Sequence, residues 1–197
     1  LRNRIKNKMV RPTTIPQTLD ELQIEHAIAR EALRLALIHH KSLATALKGI
    51  QQERTISDVF EQQQSGKTLI DMLKLDLIVG SGGILSHAPR RVQSMLMMVD
   101  AYEPLGVTRL SVDSIFMMPH LGVLSTINEK AATDVFVRDC MVYLGTCVAP
   151  IGQGKDGERC ADYAITFPDG RVDKGQLLFG DLRLVPLAGD QKASIAI

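Results

Sequence analysis

The chain has 197 residues, 45% of them hydrophobic and 23% charged, the make-up of an ordinary soluble globular protein with room for a sizeable core. Twenty-three basic residues against 22 acidic ones leave a net charge of +1, which argues against action mainly by charge on nucleic acid or an anionic membrane. Aromatics are only 4% and tryptophan is absent, so base stacking on single strands is excluded as a main activity.

The chain opens at Leu1 and runs into Arg2, Arg4, Lys6, Lys8 and Arg11 with no acid among them. There is no apolar core of a secretory signal here, so residues 1–17 read as a basic lead-in or linker, with an anion-contacting arm as the alternative. A start on leucine reads as a cut from something longer. Pro12 and Pro16 bracket an extended stretch, and Thr18 with Glu21 three residues on spells a capping box. Ile24, Ile28, Leu35 and Ile38 then recur at helical spacing, which predicts a helix over 19–48 with a break near His39 and His40. Further helical stretches are expected at 56–64 and 67–74.

At 75–79 the period changes to a short, nearly continuous apolar run, as in a buried parallel strand, and Gly80, Ser81, Gly82 and Gly83 end it. Pro89 starts a helix whose inner stripe is expected to be Val92, Met95, Leu96, Met98, Val99 and Tyr102. A strand at 108–115, a short helix at 119–125, a helix at 129–138 capped by Asn128 and a strand at 141–148 follow. Beyond Pro150 the composition shifts to a loop over 151–157, strands at 162–167, 175–180 and 182–187, and a turn at Pro168, Asp169 and Gly170. The tail 188–197 is expected to fray or to start a strand whose partner lies beyond it. The reading is therefore an α/β domain over 18–150 and a small β-rich module over 151–197. No run approaches the roughly 20 apolar residues of a membrane span. Cys140, Cys147 and Cys160 match no disulfide or zinc spacing and read as thiols of a reducing compartment, the cytoplasm.

Several motifs fail on inspection. Gly66, Lys67 and Thr68 invite a P-loop, but Glu61 stands where its first glycine belongs, and no strand precedes it. The Gly80 loop has the right strand–loop–helix context for a phosphate-bearing ligand, with His87, Arg90 and Arg91 near the following helix start as anion-contacting candidates. As a dinucleotide fingerprint it fails, because its last glycine would fall on Leu85 and Asp100 follows a helix rather than a second strand. The competing reading is a tight turn and nothing more. His87 and His120 each lack a partner that would make them ligands or acid–base groups, and His39 and His40 suit a helix C-terminus. Met95, Met97, Met98, Met117 and Met118 read first as core, second as an adaptable docking surface. Asp113 stands at a strand end, where it could face a ligand. There is no catalytic triad and no metal-ligand set, so no catalytic or metal residue is assigned.

The stretch from Asp76 through Gly80, Ser81, Gly82 and Gly83 to Pro89 resembles the adenosine motif of the sugar kinase and actin superfamily. Together with Asp113 through Ser125 and Phe136 through Cys140, it resembles the MutL (GlmL) family of glutamate mutase accessory proteins over most of residues 10–187. The resemblance implies part of one lobe of an actin-like, ribonuclease H-like ATPase fold. It implies a parent that uses ATP or ADP with magnesium to reactivate a cobalamin-dependent mutase. Gly80, Ser81, Gly82 and Gly83 would then line the adenosine and inner-phosphate side of the nucleotide. The superfamily's two glycine-containing phosphate hairpins have no match in this chain, so the chain alone is expected not to hydrolyse ATP and to bind it weakly if at all. The partner implied is the mutase, with self-association through uncovered faces, and neither nucleic acid nor membrane. The rivals are a ligand-free protein-interaction module, a nucleotide-sugar or dinucleotide enzyme, and a piece of a hydantoinase or oxoprolinase-type ATPase.

Overall fold

The structure, a computed structural model, describes residues 1–44, 70–188 and 191–197. The helix expected at 56–64 and the Gly66–Lys67–Thr68 motif lie outside the described residues. The chain divides into two compact units, Leu1–Cys147 and Val148–Ile197.

The first unit begins with a helix where a linker was expected. Helix α1 spans Arg2–Val10 and buries none of its residues. Lysine and arginine are good helix formers, and their mutual repulsion is relieved here by acids of the next helix. Lys8 pairs with Glu25 at 2.8 Å, and Arg4 pairs with Asp20. Helix α2, Leu19–Leu43, opens with the expected capping box: Thr18 accepts from the Glu21 amide at 3.2 Å while the Glu21 side chain reaches back to Thr18 N. It runs unbroken through His39 and His40, which with Lys41 place basic groups at the negative end of the helix dipole. The expected break is therefore absent. The predicted end at Lys48 lies outside the described residues. Within 67–74, the described part is a single 3₁₀ turn, Met72–Lys74, capped by the Asp71 side chain on Leu73 N.

Strand β1, Leu77–Gly80, lies parallel to β2, Gly106–Asp113, with Leu77 opposite Arg109 and Gly80 opposite Val112. A third strand, β3, Met141–Ala149, completes a sheet of order β1-β2-β3. Between β1 and β2 the chain makes a one-turn helix α3, Gly83–Ser86, and the crossover helix α4, Arg91–Tyr102. Leu110 and Val112 of β2 are wholly buried and pack in one core with Leu85, Met97, Met98 and Ala29 of α2. The buried stripe of α4 is Ser94, Met97, Met98 and Ala101, while Val92 is exposed, so the predicted inner face is rotated and only Met98 of it is fully buried. Two of these four residues, Ser94 and Ala101, are small. Ser94 escaped notice because it is polar, yet its hydroxyl is satisfied by the Leu85 carbonyl at 2.6 Å. Arg30 of α2 and Asp100 of α4 form an ion pair at 2.8 Å, which gives Asp100 a structural partner.

Helix α5, Met118–Ser125, starts with proline in its first turn, and α6, Glu129–Val135, is capped by Asn128 on the Ala131 amide at 3.0 Å. The helix predicted over 129–138 is helical throughout, and α6 passes at Phe136–Cys140 into a π-turn that feeds β3.

The second unit is a β module of order β5-β4-β6. Strands β4, Arg159–Thr166, and β5, Val172–Leu178, form a hairpin around the expected turn, in which Gly170 takes φ +81. The predicted strand at 182–187 is not formed. Arg183 there lies over the Tyr163 ring, 5.0 Å from its centroid, and also bonds the Tyr163 hydroxyl and Asp173. In the tail, β6, Ser194–Ala196, pairs antiparallel with Ala164–Thr166, so this strand's partner lies within the chain. All three cysteines are free. Among the described residues no helix is long and apolar enough to cross a membrane.

Candidate functional site

Parallel strands joined by a crossover helix bring their carboxyl ends side by side, and in open α/β sheets ligands bind there. In this chain those ends are Gly80 and Asp113.

The four loop residues chosen from the sequence divide into two kinds. Gly80 faces the core: a Cβ there would stand 2.8 Å from Leu85 Cδ1 and 3.0 Å from Met98 Sδ. Its glycine is required by packing. Gly82 and Gly83 have nothing within 4 Å of such a Cβ, and Gly82 adopts φ +103, a left-handed conformation that favours glycine. These two leave their backbone open to approach. The Ser81 hydroxyl is buried with no hydrogen-bond partner among the described residues. The Gly82 carbonyl accepts from the amides of Leu85 and Ser86 at 3.1 and 2.9 Å, which closes α3. Glycine composition concealed that helical turn.

The three cations also divide. His87 and Arg90 are exposed at the surface. Arg91 is already engaged, its Nη1 donating to the Ser86 carbonyl at 2.7 Å. The crossover helix starts at Arg91, two residues after Pro89. The Arg90 amide, left free by the helix start, is held by Gln93 Oε1 at 2.9 Å.

Asp113, read from the sequence only as a strand-end residue that could face a ligand, is held by several bonds. Asp113 is fully buried, and its carboxylate accepts from the amides of Met118 at 2.8 Å and Ile115 at 3.3 Å. Burial pushes its pKa up, but the backbone amides of Met118, Met117, Ile115 and Phe116 outweigh that and hold the carboxyl below its ordinary range. The Asp113 carbonyl accepts from the Ser86 hydroxyl, itself buried. Ser114 donates its amide and its hydroxyl to the Cys140 carbonyl, both at 2.8 Å. A signal was present in the sequence: an Asp-Ser pair shortly before a proline-started helix is capping chemistry. Phe116, in the loop so formed, takes φ +59. The Cys140 thiol is pushed up by burial, then by Asp113 and Asp139, and is no nucleophile at neutral pH.

Other candidates stay apart from this edge. The His120 side chain is exposed on α5, and Met97 and Met98 are core. The methionines of α4 therefore form no docking face. A cleft of about 560 Å³ runs between α1 and α2, lined by Lys8, Arg11, Ile15, Ile24 and Glu25 among others. Among the described residues no group of three or more His, Cys, Asp or Glu could hold a metal ion. Asp113 has committed its oxygens to amides. Among the described residues, those at this edge thus do not by themselves fit a magnesium ion.

The protein-family model described as MutL protein matches residues 1–140, which takes in α1 through the π-turn and with them both strand ends of the candidate site. No curated protein and no solved structure matches the chain.

Proposed function

The chain belongs to the MutL protein family, and on that premise we propose that it supplies the adenosine wall of a nucleotide site in an actin-like ATPase that reactivates a cobalamin-dependent mutase such as glutamate mutase. The observation that carries this reading is the loop at the carboxyl end of β1, where Gly82 and Gly83 expose unobstructed backbone beside a crossover helix. Gly82, Gly83 and Ser81 would approach the nucleotide, and His87 and Arg90 are the cations free to meet its inner phosphates. Gly80 would act behind them, as the packing position that lets α4 close on the sheet. Metal-assisted phosphoryl transfer is assigned to no residue of this chain and is left to the other lobe of the site.

Calorimetric titration of the chain with ADP and with ATP, alone and with the complementary lobe supplied in trans, tests the proposal. Binding that appears or strengthens with the lobe, and weakens on Gly82→Val, is expected. Unchanged heat in every arm refutes it. Phosphate release by the chain alone, magnesium-dependent and well above background, would refute the assignment of catalysis elsewhere.

A second reading, a ligand-free interaction module, draws on the exposed apolar side chains of Ile115, Phe116, Val123 and Ile127, the last 84% exposed. It predicts mutase capture that ADP and ATP leave unchanged and that Phe116→Ser with Ile127→Ser abolishes.

A further inference from the structure

The short helix that follows the glycine loop is tied to the carboxyl end of β2 by one side-chain hydrogen bond. Ser86 closes α3, and its hydroxyl donates to the carbonyl of Asp113, the last residue of β2. Neither residue is open to water, at 2% and 0% exposure. Ser86 is held at its other polar end as well, because Arg91 of α4 donates to its carbonyl. On the far side of the tie, the Asp113 carboxylate gathers the loop that follows by its amides. That loop carries Ile115 and Phe116 into solvent, 57% and 52% exposed, and holds Phe116 at a positive φ that a side chain rarely adopts. Ser114 fixes the start of the loop on the Cys140 carbonyl, so its middle, at Ile115 to Met118, is the part that rests on the buried carboxylate and can relax from the strained Phe116 conformation once that anchor shifts.

We propose that Ser86 and Asp113 form a mechanical link by which displacement of the glycine loop, residues 80–86, is passed to the loop 114–118 and its exposed apolar side chains. Ser86 is the positioning residue of this link. Its hydroxyl carries the connection, and Arg91 fixes the direction from which it is made. A ligand that moves Gly82 or Gly83 thereby changes how Ile115 and Phe116 are presented. That the ligand is a nucleotide rests on the function proposed above, whereas the link itself does not.

Hydrogen exchange of the 197-residue chain without ligand tests the link. Gly82→Ala strains the glycine loop through its φ of +103 yet places its new carbon where no atom lies within 4 Å. It is expected to speed exchange at 83–87 and also at the amides of Ile115 to Met118, while the Asn128 cap on Ala131 stays unchanged. Ser86→Ala is expected to speed exchange at 115–118 about fivefold, the size of one lost hydrogen bond. Ser86→Thr, which keeps the hydroxyl, restores slow exchange. In the Ser86→Ala background, Gly82→Ala no longer alters 115–118. A Gly82→Ala effect confined to 83–87 overturns the proposal, as does independent multiplication of the two effects in the double variant. Should Ser86→Ala not fold, the single Gly82→Ala arm still decides, by whether 115–118 responds. If ADP, added with the complementary lobe supplied in trans, leaves 80–87 unaltered while Gly82→Ala still reaches 115–118, the nucleotide reading falls and the link stands.

Discussion

Replacing Asp113 by asparagine keeps the side chain's shape and removes its charge. In the fold its two oxygens accept from Met118 N at 2.8 Å and Ile115 N at 3.3 Å. Asparagine has one acceptor oxygen, which should keep the shorter bond and turn its amide hydrogens toward the Ile115 N–H. One charge-assisted bond is lost and one donor is left facing another donor. At a wholly buried site that sums to about 2 to 3 kcal/mol, since hydrogen bonds to charged groups are worth about 1.5 to 3 kcal/mol. Urea unfolding at pH 7 should show this as a lower midpoint with an unchanged slope. The pH dependence follows from the direction of the shift. Burial raises the Asp113 pKa, but the amides of 115–118 overcome it and leave the folded value below the ordinary 3.8. The carboxylate's contribution is therefore complete above the unfolded value and disappears as pH falls through the folded one. The gap between the two proteins should close on acidification below about pH 4, where the unfolded carboxyl begins to protonate. A variant within about 0.5 kcal/mol of the parent at pH 7, the range of a neutral surface change, or a gap that widens in acid, would refute the reasoning.

Gly80→Ala should cost about 1 to 3 kcal/mol by overpacking, because its Cβ enters space held by Leu85 and Met98. Gly83→Ala, with open space around it, should be neutral or gain about 0.4 to 1 kcal/mol from the unfolded chain's lost freedom. Thermal melts of the pair decide whether the two glycines serve different ends. Ser94→Ala should cost about 1 to 3 kcal/mol, since it strands the buried Leu85 carbonyl, and chemical denaturation will read it.

The elements most legible in the sequence were those with local chemistry. Thr18 and Glu21, Asn128, and the turn at Pro168 to Gly170 each carry their own hydrogen-bonding partner within a few residues, so spacing alone reveals them. The β1 strand and its glycine loop were legible because an apolar run meeting several glycines has few other meanings. What spacing could not show was set by distant partners. The face of α4 depends on Ser94 finding Leu85, and on α2 packing beside it, where Arg30 pairs with Asp100. Basic α1 forms a helix beside the acids Asp20 and Glu25 of α2. The 182–187 segment has strand composition, but Arg183 is drawn onto Tyr163 and Asp173 instead. At the candidate site the same division holds. The glycines announced themselves, while the roles of Ser86 and Asp113 exist only once β1 and β2 are paired.

The contact between Met98 and Gly80 gives the core a chemical memory. Met98 has no exposed surface, and its sulfur fills the space that a side chain on Gly80 would need. Oxidation to the sulfoxide adds a polar oxygen for which this packing has no room. An oxidant can reach that sulfur only when the core around it opens, and the product then opposes reclosure. Met9, 77% exposed on α1, can be oxidised with the fold untouched. Under oxidative stress the two thioethers thus register different events: one the presence of the oxidant, the other that the core behind the glycine loop has opened.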